Sequence, residues 1–279
     1  MKQLFYIGIV SILSFSSLAQ EKVQFKGQVS AMTSYQPNNY LGWFAGARYI
    51  PEASYKIPIT NNSAFNLLAS VNLASTISFR PFTTSIGTTD FDAYRVWARY
   101  ATDNYEIRVG LQKIDFGAAT LLRPLQWFNQ MDPRDPLQLT NGVQAVLGRY
   151  YFADNTNVWL WMLYGNDNTR GSDVFATDNN TLEYGGRVQF PISRGELAFS
   201  YHHRTANIGA LQMLPFEDVS ENRIGIDAKL DVTVGLWVEA THQQKTKNMA
   251  QIAIKRKPKP PKYYKYSADF AFLNQGLSS

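Results

Sequence analysis

Eight basic side chains, Lys26, Arg48, Arg95, Arg99, Arg108, Arg187, Arg223 and Lys229, and five acidic ones, Glu106, Glu183, Glu196, Asp227 and Glu239, stand on the polar positions of alternating segments. A strand points successive side chains to opposite faces, so these residues share one face while apolar residues take the other. Guanidinium, ammonium and carboxylate groups on a wetted wall can bias the passage of ions or pair with one another. Eight against five makes the wall weakly cationic. Two arrangements stay open. One is a cross-strand ladder, with Arg99 opposite Glu106 across the Thr102 and Asp103 link. The other is a constriction that favours anions, as rings of basic side chains do in anion pores.

Signals for bond-making chemistry are poor. The histidines are His202, His203 and His242, and the chain has no His-Glu-x-x-His, no Gly-x-Ser-x-Gly and no phosphate-binding Gly loop with its Lys. The loop carboxylates Asp167, Asp173 and Asp178 lack the spacing of a calcium loop. The expectation is a protein that is not an enzyme and carries no cofactor or metal.

The stretch from Gly117 to Thr140 stands apart. It holds Arg123-Pro124, Trp127-Phe128 and Asp132-Pro133-Arg134-Asp135-Pro136, and its three prolines bar it from the middle of a sheet. It is too apolar for a freely solvated loop. One expectation is that it folds back against the charged wall and brings Arg123, Asp132, Arg134 and Asp135 to the path of a solute. The other is a rim structure in which Asp132 and Asp135 make turn hydrogen bonds.

The elements that position these residues are strands. Alternation predicts them at about 22–35, 40–57, 64–79, 89–101, 104–116, 141–153, 156–165, 180–190, 194–204, 220–231 and 232–243, with a twelfth over 263–273. In the second, Leu41, Trp43, Ala45, Ala47 and Tyr49 oppose Gly42, Phe44, Gly46 and Arg48. Links after even-numbered strands are tight, whereas 80–88, 117–140, 166–179 and 205–219 are long. Outer-membrane barrels alternate short periplasmic turns with long outer loops in this way. A soluble sandwich or lipocalin-like barrel would show the same alternation with its apolar face inward. The aromatics at strand ends, among them Tyr35, Tyr49, Tyr94, Tyr100, Tyr105, Tyr150 and Phe152, favour the membrane as interfacial girdles. The fold expected is all-β, an antiparallel up-and-down transmembrane β-barrel of about twelve strands.

Residues 1–19 read as a signal peptide: Lys2, an apolar run from Leu4 to Phe15, then Ser17, Leu18 and Ala19 before Gln20. The chain has no cysteine, so no disulfide braces the fold. The barrel is expected over 20–243, as one domain. The net charge of +5 belongs to a tail, since eight basic residues lie between Lys245 and Lys265 with no acid among them. Without those and Lys2, 18 basic residues face 22 acids, which argues against a nucleic-acid partner.

The run Arg108-Val109-Gly110-Leu111-Gln112-Lys113-Ile114-Asp115-Phe116-Gly117, followed by Asp132-Pro133-Arg134-Asp135-Pro136, resembles porin-like outer-membrane proteins of Gram-negative bacteria. The leader ending Leu18-Ala19-Gln20 and the tyrosine- and asparagine-rich strands are similar to the Bacteroidota branch. The resemblance implies a channel for small solutes in the bacterial outer membrane, delivered by the barrel-assembly machinery, and names no substrate. The carboxyl end departs from the pattern, since such barrels usually finish on an aromatic residue and this chain finishes Gly276-Leu277-Ser278-Ser279. Residues 244–262 form a basic Pro-rich loop or an aberrant tail. Two readings stay open: a truncated product of an incomplete larger barrel, or a closing strand within 263–279. The function expected is passive diffusion of small hydrophilic solutes, anions among them, through a lumen narrowed by 117–140. The alternative is a non-conducting outer-membrane barrel with a binding, receptor or structural role.

Overall fold

The computed structural model describes residues 11–17, 23–37, 39–82, 84–119, 123–131, 139–207, 218–231 and 233–247. They form one large antiparallel sheet and a separate two-stranded one, and no helix occurs among them. The strands of the large sheet are β1 (Ser11–Ser17), β2 (Val23–Tyr35), β3 (Trp43–Thr60), β4 (Ser63–Arg80), β5 (Thr84–Thr102), β6 (Tyr105–Gln112), β9 (Val143–Tyr151), β10 (Asn157–Leu163), β11 (Glu183–Ile192), β12 (Gly195–Asn207), β13 (Asp218–Asp231) and β14 (Gly235–Lys247). Two-residue strands β7 (Gln130–Met131) and β8 (Thr140–Asn141) pair separately. The hydrogen-bonded order follows the chain from β1 to β14. The eleven strands from β2 onward are those that alternation predicts.

Several boundaries are displaced from expectation, three of them with consequences for the pairing. The predicted loop 80–88 is mostly strand, because β5 begins at Thr84 and pairs back along β4 to Arg80. Thr and Ser hold this polar extension together, with hydroxyls of Thr76 and Thr88 2.9 Å apart and those of Ser75 and Thr89 3.2 Å apart. Strand β6 stops at Gln112 and not at Phe116. At the far end, β14 carries pairing through Gln244 to Lys247, four residues into the predicted tail, with Lys245 opposite Glu221. The other tail residues, 248–262, and the predicted closing strand 263–273 lie outside the described residues. Part of the predicted leader pairs as β1 along β2, with Leu13 opposite Val29. An apolar run beside an open strand edge can complete that edge's hydrogen bonds.

The chain divides into two compact units. Unit 1 comprises residues up to Asp115 and Phe128–Trp159. Its register places Val29, Tyr49 and Leu73 in one cross-strand row and Ser30, Arg48 and Ala74 in the next. Between β4 and β5, Ser70 pairs with Arg95 and Val71 with Ala93, so Tyr94 is an extra residue in a bulge. In β6, Gly110 has a φ of 120°, and a Cβ there would stand 2.3 Å from the Val96 carbonyl oxygen, so only glycine fits.

Unit 2 comprises Phe116–Trp127 and the chain from Leu160. One row across its strands is Phe199, Ile226 and Ala240, and the adjoining row is Ser200, Gly225 and Thr241. The distribution of burial across its two faces is inverted relative to a water-soluble sheet. Tyr184, Phe190, Phe199, Tyr201, Ile224, Ile226, Leu236 and Val238 on the apolar face are exposed. Arg187, His202, Arg204, Glu221, Arg223 and Asp227 on the polar face are buried.

Candidate functional site

The polar face of each unit carries a cluster of ionic groups, and the two clusters differ in charge balance. In unit 2, Arg204 grips Glu221 with two parallel bonds, Nε to Oε1 at 2.9 Å and Nη2 to Oε2 at 3.2 Å. Its Nη1 lies 2.8 Å from Asp173, and Arg223 contacts both Asp173 and Glu221. Arg187 pairs with Asp227 through two bonds and also donates to Ser200 Oγ at 3.1 Å. Arg170 donates to Glu183 at 2.6 Å and to Thr177 at 2.9 Å. The Trp161 indole N–H donates to His202 Nδ1, which leaves Nε2–H to donate to Glu183 at 3.2 Å. Four arginines meet four carboxylates. Each buried charge has an opposite partner, as a dry interior requires.

Against this face of unit 2 packs the segment that begins at Phe116. Phe116 stacks on Trp161 with centroids 5.5 Å apart, and Trp127 lies over His202. Leu125 and Trp127 fill the space above Gly225, where a Cβ would stand 2.3 Å from Leu125 Cδ2. Glu239 fastens the segment by accepting the Ala119 N–H at 2.6 Å and the Leu125 N–H at 3.4 Å. Residues 116–119 and 123–127 thus lie on the charged face of unit 2. Arg123 donates to the Phe116 carbonyl within the segment. Asp132, Arg134 and Asp135 lie outside the described residues.

In unit 1 the centre is Glu106, whose side chain is 3% exposed. Arg99 approaches it at 2.5 Å, Arg149 at 3.1 Å and Arg108 at 3.6 Å. Arg108 lies over the Trp97 ring and Arg149 over the Trp159 ring, 4.8 and 3.8 Å from the centroids. The expected pairing of Arg99 with Glu106 forms, yet the two are not opposite each other. The turn is Asp103 and Asn104, which sets Arg99 opposite Arg108 and Glu106 opposite Arg149.

The other predicted wall residues are spread along unit 1. Arg95 is buried, lies over the Tyr94 ring and donates to the Thr140 carbonyl at 2.6 Å, so it is anchored to the backbone. Arg48 is half-buried opposite Ser30, and Lys26 is exposed opposite Glu52. Arg187 and Arg223 belong to the balanced network of unit 2. Sequence reasoning missed Arg149, Arg170, Asp173, Arg204 and Glu221. Arg149 shares its face of β9 with Val143, Ala145 and Leu147, so its phase reads apolar and gave no signal.

No family model, no curated protein and no solved structure matches this chain.

Proposed function

We propose that this chain is an outer-membrane protein whose sheet closes into a barrel and conducts small hydrophilic solutes by passive diffusion, as the porin-like resemblance implies. The observation that carries this reading is the inversion of the two faces. Eight large apolar side chains on one face of unit 2 are exposed. Each gains about 1.5–3 kcal/mol on full burial, so in water their half-exposure would forfeit on the order of 10 kcal/mol. That equals the whole stability of an ordinary domain, about 5–15 kcal/mol. Lipid against the apolar face removes the deficit, and water or ion pairing serves the other face. The Phe116–Trp127 segment, seated on the polar face, narrows the lumen. The partners are outer-membrane lipids, the assembly machinery and small solutes, and the protein acts as a monomer or small oligomer after its leader is removed.

A second reading is a barrel with a filled interior and a binding or structural role. It is favoured by the packing of Phe116, Leu125, Trp127 and Trp161 on the polar face of unit 2. Purified protein in detergent, with a heat-dependent gel shift, is to be added to a planar bilayer. Stepwise ion currents are expected. A silent bilayer with folded, heat-modifiable protein selects the second reading, and a monodisperse chain that needs no detergent refutes the membrane assignment.

A further inference from the structure

We infer that Arg99, Arg108 and Arg149, gathered around Glu106, form a binding site for a small multivalent oxyanion of the phosphate type. The inference deepens the channel reading by naming a class of solute, and it rests on that reading only for the anion's route to the site.

The first argument is charge balance. Three guanidiniums converge on a single carboxylate, which leaves a surplus of two positive charges. In the ionic network of unit 2 four arginines meet four carboxylates, with Lys245 at its edge 4.0 Å from Glu221, so the positive surplus around Glu106 is concentrated on one carboxylate as it is not there. The second argument is register. Arg99 and Arg108 stand directly opposite on neighbouring strands, an arrangement that destabilises a sheet unless a counter-charge relieves it. Glu106 relieves it in part, and a dianion would neutralise the remainder.

The third argument is donor capacity. The Nε atoms of Arg99, Arg108 and Arg149 are all buried and make no hydrogen bond among the described residues. Such orphan donors on charged groups are costly unless an acceptor reaches them. Arg108 and Arg149 lie over the rings of Trp97 and Trp159, so their forks lose little freedom on binding. The cluster is also reachable, with Arg99 35%, Arg108 18% and Arg149 17% exposed at the side chain. A tetrahedral dianion supplies several acceptor oxygens to several forks at once, whereas chloride supplies one centre and half the charge.

The test is isothermal titration of inorganic phosphate into the detergent-solubilised full chain at low ionic strength. Saturable binding is expected at one site per chain. Arg99→Gln and Arg149→Gln should each weaken it by about ten- to a hundredfold. Arg149→Lys, which keeps the charge and loses the fork, should fall between. Arg194→Gln, in the turn before β12, should leave binding unchanged. Two Gln variants at separate strands guard against a folding failure in one of them, and the heat-dependent gel shift reports folding for each. Absence of binding to the unsubstituted chain, binding by both Gln variants as tight as by the unsubstituted chain, or equal competition by chloride would each overturn the site. A silent bilayer with phosphate binding intact removes the channel and leaves the site standing, while conduction without binding does the reverse.

Discussion

Replacing Gly225 by valine tests whether the Phe116–Trp127 segment is held on the polar face by shape. A Cβ at this position would lie 2.3 Å from Leu125 Cδ2 and 3.0 Å from Trp127 Cζ2. Carbon atoms rest at about 3.5–4.0 Å, so Leu125 must retreat by more than ~1 Å. Both neighbours are buried, Leu125 at 1% and Trp127 at 3% exposure. Overpacking of this kind costs about 1–3 kcal/mol. Opposing it are the bond from the Ala119 N–H to Glu239, worth about 1.5–3 kcal/mol, and the burial of two large side chains, worth about 2–3 kcal/mol each. Valine alone therefore loosens the segment without ejecting it. A shift of about 2 kcal/mol raises the undocked fraction roughly thirtyfold. Adding Glu239→Gln removes the anionic acceptor and should tip the balance toward release. Chymotryptic cleavage within 116–127 reads this directly, because cleavage follows the open population when closing is fast. Cleavage should rise about thirtyfold in Gly225→Val and further in the double variant, with single-channel conductance rising in parallel. If both variants are cleaved at the original rate while still heat-modifiable, the segment is not seated above Gly225 and the reasoning fails.

Arg204→Met leaves Glu221 and Asp173 short of a counter-charge in a buried setting, and should destabilise by about 3–5 kcal/mol. Its gel-shift temperature should drop, and a matching Glu221→Leu should recover part of the loss; an unchanged temperature in Arg204→Met would show that the network contributes nothing. In the turn after β9, the Thr156 backbone N–H and then its hydroxyl donate to Asp154, which holds this carboxyl below its usual range. That brace is complete above the ordinary carboxylate value and is lost as pH falls through the lowered one. The protection of the Thr156 amide relative to its intrinsic exchange rate at each pH should fall on acidification, and Asp154→Asn should abolish that dependence.

Alternation made most of the sheet legible, because a strand with one apolar and one polar face writes that difference into successive residues. Phe199, Ile224 and Ile226 against Ser200, Arg223 and Asp227 could be assigned to faces from sequence. Strand ends were less legible where polar residues continue the pairing, as over Thr84–Thr88 and Gln244–Lys247. Partners within the charged wall were least legible. Glu221 meets Arg204 and Arg223 because of the register between β12 and β13, and Asp173 reaches them from a connection between strands. Arg149 joins Arg99 only because β6 lies between their strands. Spacing along the chain carries none of this information.

The extra residue at Tyr94 acts on β5 as an inserted letter acts on a reading frame. Counting back in twos from Val96 without the insertion would bring Asp92 and Asp90 to the greasy side. The bulge shifts the count by one, so Ala93 and Phe91 align with Val71 and Leu73 while Asp92 and Asp90 align with Asn72 and Ala74. One tyrosine thus keeps two carboxylates off the apolar face of β5 and on the side shared by Asn72 and Ala74.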